Sequence, residues 1–318
     1  MALNLISTKP APPPEDGPPR LFDRALLRRR KDRAAGEFRQ YDFLYARAAD
    51  DLLDRLESVS RDFGACLVIG GGGAVGRALE DRPKAAAKIG RLIEADLAPA
   101  MAGLSKQTRL VMDEEHLPIA EQSVDLVLSC LTLHWTNDIV GALIQLNYAL
   151  KPDGFFAGAM LGGATLTELR QAMKSADEAA GREPAQRISP FADAIDMAGL
   201  LSRAGFAMPV SDVDRVTARY GNSFVLMRDL RKMGETSVLA ARPRTPATKD
   251  FFVKTAEAYS HAFADEDGKA PATFEIIHFA GWAPHPDQPK PKRPGSAQAR
   301  LADALGVSER GAGEKAGG

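Results

Sequence analysis

The chain has 318 residues, enough for one large domain that buries its own core without disulfide staples. Its 41 Lys and Arg nearly balance 42 Asp and Glu, leaving a formal net charge of −1, which excludes a general attraction to nucleic acid or to an anionic membrane. Only two cysteines occur, Cys66 and Cys130, each inside an apolar run, the pattern of reduced core thiols.

In chain order, residues 1–19 combine Pro12-Pro13-Pro14 with one Lys and two acids, unlike a signal peptide or an Arg-rich presequence. They are expected to be a disordered tail on a cytoplasmic protein, and residues 285–318, rich in Pro, Lys and Gly, a second such tail. No apolar stretch approaches the roughly 20 residues that cross a bilayer, so association with a membrane-bound assembly would be peripheral. The basic run Arg20, Arg24, Arg28, Arg29, Arg30, Lys31 and Arg33 reads as a solvated helix face or a dock for an acidic partner.

Leu44, Ala48, Leu52, Leu53 and Leu56 recur at helical spacing and predict an amphipathic helix over about 40–58. Cys66-Leu67-Val68-Ile69 is a continuous apolar run stopped by four glycines, as in a buried parallel strand ending at a tight loop. Further strands are predicted at 91–94, 109–112, 125–129 and 155–160, with helices over about 75–82 and 139–150 and a turn at Lys151-Pro152-Asp153-Gly154. Past Leu161 the rhythm changes to helices near 166–180 and 191–204, a strand near 209–218, helices near 224–233 and 249–263, and a last strand at 274–279 that pairs antiparallel at the sheet's far side. The expected fold is α/β, a doubly wound, mostly parallel, seven-stranded Rossmann-like sheet with a helical cap insertion. The domain spans 20–284, the cap elements fall at about 164–206 and 222–265, and the ligand crevice lies beyond the carboxyl ends of the strands.

The loop Gly70-Gly71-Gly72-Gly73-Ala74-Val75-Gly76 lets backbone lie against a ligand, or serves only close packing of helix on sheet. Read through Gly71, Gly73 and Gly76, with Asp96 about 20 residues on, it also fits a nicotinamide dinucleotide fingerprint. Asp96-Leu97 ends the second strand, where a carboxylate can accept from both ribose hydroxyls of an adenosine. Asp113-Glu114 ends the third, where an acid can accept from an adenine amino group. Singly, such acids are solvated loop residues or caps; at successive strand ends they define one adenosine pocket. His134 and Trp135 follow the fourth strand, where His134 is placed to position a substrate or accept a proton, or simply to bond a backbone carbonyl. Asn137-Asp138 reads as a helix cap, and His285-Pro286-Asp287 lacks the second histidine an iron site of the two-His, one-carboxylate kind needs, so no metal site is expected.

The strand-end acids and Leu150-Lys151-Pro152-Asp153-Gly154 resemble class I methyltransferases. A closer resemblance, to the family of assembly factor 5 of respiratory complex I, is carried by Leu21-Phe22-Asp23-Arg24, Leu131-Thr132-Leu133-His134-Trp135, Gly162-Gly163-Ala164-Thr165-Leu166-Thr167-Glu168-Leu169-Arg170, Ile188-Ser189-Pro190-Phe191, Met233-Gly234-Glu235 and Gly281-Trp282. The malonyl carrier-protein methyltransferases of biotin synthesis are similar at greater distance. The resemblance implies S-adenosyl-L-methionine as cofactor, held by Gly70, Gly72, Asp96, Leu97, Asp113, Glu114 and Ser129, with His134 and Trp135 beside the reacting group. It also implies a protein substrate, a complex I subunit, with arginine hydroxylation known in the mitochondrial member, and no nucleic-acid partner. Two departures stand out: Val68 where an acid is usual, and Ala74 where a third glycine is usual. Both fit an alternative in which the chain is a cofactor-binding assembly chaperone with reduced catalysis.

Overall fold

The computed structural model describes residues 20–288 except 192 and 244, together with 303 and 306. The expected tail at 1–19 and most of that at 285–318 lie outside the described residues. The chain divides after Pro284 into two units. In the second, His285 and Asp287 form a local turn in which the Asp287 N–H donates to His285 Nδ1 at 3.2 Å.

The first unit is built on strands β1 (Phe63–Gly70), β2 (Ile89–Asp96), β3 (Thr108–Val111), β4 (Val124–Cys130), β5 (Leu150–Leu161), β6 (Ala207–Tyr220) and β7 (Ala270–Trp282). They form one seven-stranded sheet in the order β3-β2-β1-β4-β5-β7-β6. The pairs from β3 through β5 are parallel, and β7 enters antiparallel between β5 and β6. The helices are α1 (Arg24–Ala34), α2 (Phe43–Ser58), α3 (Ala74–Glu80), α4 (Pro83–Ala87), α5 (Pro99–Ala102), α6 (Ile139–Ala149), α7 (Thr167–Glu178), α8 (Ala194–Arg203), α9 (Ser223–Met233) and α10 (Lys249–Phe263). This is the doubly wound α/β fold with inserted helices that the strand and helix rhythm predicts.

Alternation along the strands sends Cys66, Val68, Leu126, Leu128 and Cys130 to a core shared with α2, α7, α9 and α10. Leu67, Ile69, Val127 and Phe156 face a second core under α6 and α8. Leu44, Leu52, Leu53 and Leu56 of α2 are all buried, each worth about 1.5–3 kcal/mol of burial. Burial drives the Cys130 thiol up to about 12 and the Cys66 thiol above its ordinary value, so both are inert packing groups.

Three local features differ from expectation. Lys151–Gly154 is not a free turn: β5 starts at Leu150, which pairs with Val124, and the register shifts before Leu126 pairs with Phe155. Asp153 takes φ 62° within that irregularity, a β-bulge that the Pro-Asp-Gly residues permit. The last strand is not an edge; β6 is, and β7 beside it is buried almost continuously. The basic run is not wholly solvated, because α1, capped by Asp23 accepting from the Leu26 N–H at 2.9 Å, turns Arg24, Leu27, Lys31 and Ala34 inward. Only Arg28, Arg29 and Arg33 of that run are exposed on the helix.

Candidate active site at the strand tips

The glycine loop leaves β1 with φ of 75°, 84°, 54° and 77° at Gly70, Gly71, Gly72 and Gly73, a run that side chains resist. A Cβ on Gly70 would lie 2.7 Å from the Cys130 carbonyl oxygen, and one on Gly72 would lie 2.6 Å from the Phe38 ring. Phe38 thus roofs the loop. Glu94, which the strand reading treats only as a β2 residue, pins the loop's exit: its Oε1 accepts from the Gly76 N–H at 2.9 Å and its Oε2 from the Ser105 hydroxyl. Val68 lies beside Glu94 in the β1/β2 register, so a buried acid stands one strand away from the position where the usual one is missing.

Asp96 ends β2, 3% exposed. Its Oδ1 accepts from the Ala98 N–H at 3.0 Å, while Oδ2 faces the Lys31 ammonium at 3.6 Å, too long for a hydrogen bond. Burial raises its carboxyl above the ordinary range against the opposing pull of Lys31. Leu97 packs with Phe22, Leu27, Trp135, Val238 and Leu239 in a small cluster over the crevice. Met112 N–H donates to the Asp96 carbonyl, which sets Asp113 and Glu114 just beyond the tip of the neighbouring strand. Asp113, half-exposed, accepts from Arg24 at 2.6 Å. Glu114 is buried, accepts from the Thr132 hydroxyl at 2.8 Å and pairs with Arg24 at 2.8 Å. Its burial alone would raise the carboxyl, but the Arg24 charge and hydrogen bond hold it below the ordinary glutamate value.

His134 and Trp135 sit in a helical turn after β4, and both reach Glu235. Trp135 Nε1–H donates to Glu235 Oε2 at 3.2 Å, His134 Nε2 lies 3.3 Å from the same oxygen, and the Tyr45 hydroxyl donates to Oε1. His134 Nδ1 accepts from the Leu161 N–H at 3.4 Å, which leaves the ring proton on Nε2, pointing at Glu235. Both ring nitrogens are therefore engaged, and the geometry favours a positioning task over proton abstraction. Burial would raise the Glu235 carboxyl; His134 and Lys31 bring it below its ordinary value instead.

The structure thus gathers Asp96, Glu114, Trp135 and His134 around the tips, with Asp113 on the rim and Leu97 above. Ser129 stands apart. Sharing a face with Val127 and Ile69, its side chain lies on the opposite side of the sheet from Asp96, and its buried hydroxyl has no hydrogen-bond partner among the described residues. Sequence reasoning gave no site role to Glu94, Glu235, Arg24 or Lys31, although Arg24 and Glu235 fall in motifs that carry the resemblance. Arg24 and Lys31 also carried a signal, since positions 24, 27, 31 and 34 recur at helical spacing. Asp138 does cap α6, accepting from the Gly141 N–H at 2.8 Å.

An adenosine cofactor carrying a positive sulfonium fits this donor set. Asp96 Oδ2 has an acceptor face without a donor within hydrogen-bond distance, the buried acids outnumber the cations facing them, and Arg24 Nε, 4.0 Å from Glu115, is buried without a hydrogen-bond partner among the described residues. Away from this site, Asp51, Asp214 and His278 offer ligand atoms within 4.8 Å of one another. Asp214 is already paired with Arg47 at 2.7 Å, and the group reads as part of the seam between α2 and the sheet edge.

A family described as a methyltransferase domain matches residues 67–158, and the YcgJ protein from Bacillus subtilis superposes with a TM-score of 0.50 at 16% identity, over 74% of this chain and 99% of that one. The fold is that of the class I S-adenosylmethionine-dependent methyltransferases. Over 290 residues the chain is 37% identical to arginine-hydroxylase NDUFAF5, mitochondrial, from Danio rerio, covering 89% of each. It is 32% identical over 278 residues to malonyl-[acyl-carrier protein] O-methyltransferase from Laribacter hongkongensis, covering 82% of this chain and 90% of that one. The chain belongs to the arginine-hydroxylase NDUFAF5 family of that superfamily. Membership sets aside the dinucleotide fingerprint, because four glycines in a strand-to-helix loop serve either cofactor. It also corrects the cytoplasmic expectation: the relatives from four vertebrates are named mitochondrial, so composition and the residues before Arg20 do not place this protein. Among the described residues, no helix is long and apolar enough to cross a membrane.

Proposed function

We propose that this protein binds S-adenosylmethionine at the strand tips and acts on an arginine side chain of a protein, a subunit of respiratory complex I, during assembly of that complex. The observation that carries the reading is a junction. Trp135 and Glu235, whose surroundings include Lys31, line a cavity between α7, α9 and the tips of β5 and β7, while Lys31 also faces Asp96 and Glu114. Cofactor crevice and substrate space therefore adjoin. In this reading Asp96 accepts from the ribose hydroxyls, Asp113 and Glu114 face the adenine amino group, Leu97 closes on the adenosine, and backbone at Gly70 and Gly72 lies along the amino-acid end. When bound, the cofactor supplies an electrophilic sulfonium; alignment is the protein's part, through Trp135 and the His134–Glu235 pair. Lys31 must swing from Asp96 and Phe38 from the loop for the crevice to fill, movements that a long flexible side chain and a short helical turn allow.

The test is peptide mass spectrometry of complex I subunits from cells with and without the gene. One arginine is expected to lose a gene-dependent mass increment, that of a methyl group where the sulfonium is the donor or of one oxygen where dioxygen is consumed as oxidant; unchanged arginines in every subunit sink the reading. A second reading, a cofactor-binding chaperone, draws on Val68 and on Lys31 seated at Asp96. It predicts failed assembly with no modification lost.

A further inference from the structure

The cavity beside Trp135 has a volume of about 210 Å³. One buried water needs roughly 10–15 Å³ on this measure, so the space suits a long side chain. Its walls are apolar: Leu161, Leu169, Met173, Phe191, Met227 and Phe274. Among its lining residues three are charged. Arg187 is held by Asp177 at 3.1 Å and lies over the Phe251 ring, 4.2 Å from its centroid, and Arg231 is exposed. Glu235 alone is buried, 8% exposed, and the hydrogen bonds it accepts from Tyr45 and Trp135 favour the carboxylate form.

A carboxylate offers about four acceptor positions. Tyr45, Trp135 and His134 fill three, two of them on Oε2, which leaves one position on Oε1. Lys31 acts on Glu235 only at longer range, without an ion pair, and a buried anion in apolar walls is unfavourable unless a cation completes its shell. We infer that this cavity receives one arginine side chain and that Glu235 is the residue that reads its guanidinium. The inference rests on the reading that a protein arginine is the substrate, and it names the subsite. Apolar walls suit the three methylenes of an arginine stem, aromatic faces at Trp135 and Phe191 suit a planar cation, and Glu235 supplies the charge. The same carboxylate repels a malonyl group, the substrate in the name of the other set of relatives. His134 acts through Glu235 as a positioning residue.

Binding of Nα-acetylarginine amide and of its neutral isostere Nα-acetylcitrulline amide to the full chain, saturated with S-adenosylhomocysteine, tests this by calorimetry. The wild type is expected to prefer the arginine amide at least tenfold and to ignore malonate. Glu235→Gln should abolish the preference, and Met227→Trp, which fills the cavity from α9 without touching the carboxylate, should abolish binding of both amides. Equal affinity of the wild type for the two amides, or malonate competing with the arginine amide, overturns the inference whatever the variants do. A preserved preference together with no gene-dependent arginine in complex I overturns the functional reading and leaves the guanidinium site standing.

Discussion

The strand-tip crevice and the cavity under α7 and α9 lie side by side yet are built on opposite principles. The crevice is polar. Its acids come from the ends of adjacent parallel strands, and each is answered by a cation from α1, Arg24 or Lys31. The cavity is apolar, assembled from side chains as far apart in sequence as Leu44 and Phe274, with one carboxylate at its floor. In the proposed reading, a cofactor of fixed shape is met by a repeating scaffold, whereas a substrate is met by inserted helices that are free to vary.

Breaking the crevice should have the largest effect on stability. Arg24→Ala leaves Glu114 buried without its ion-pair partner, and removal of one member of such a pair costs about 3–5 kcal/mol. Urea unfolding checks it; a loss under about 1 kcal/mol would mean that water reaches Glu114. The same pair sharpens the pH behaviour. Glu114 titrates below its ordinary 4.5 in the folded chain, so its contribution is complete above that value and disappears as pH falls through the lowered one. Acid unfolding of the wild type should therefore be steeper than that of Arg24→Ala, and parallel curves would contradict the assignment. Next comes Gly72→Ala. A methyl at φ 54° and 2.6 Å from Phe38 should cost about 1–3 kcal/mol, measured by thermal unfolding. An unchanged midpoint would show that Phe38 moves freely off the loop.

Legibility followed the same divide. The sheet could be read because buried parallel strands are continuous apolar runs, and Asp96, Asp113 and Glu114 because a strand end fixes where an acid points. The α1 residues were harder: a run of Arg and Lys reads as solvated unless the inward spacing of Arg24, Leu27, Lys31 and Ala34 is noticed. Ser129 shows what a strand end leaves open: position along the strand can be read, but the face, here that of Ile69 and Val127, depends on register. Glu235 had no periodic signal. It follows Gly234, which ends α9 at φ 83° and turns the chain inward, so its burial depends on packing that no local pattern reveals.

The central claim is that the acids at the strand tips hold the adenosine of S-adenosylmethionine. Calorimetric titration of S-adenosylhomocysteine into the wild type and into Asp96→Ala tests it most directly. Loss of the charge-assisted hydrogen bonds to the ribose, about 2–3 kcal/mol, predicts a fall in affinity of roughly 30- to 150-fold, with the fold intact. Equal affinity in the two proteins would place the cofactor elsewhere and contradict the account.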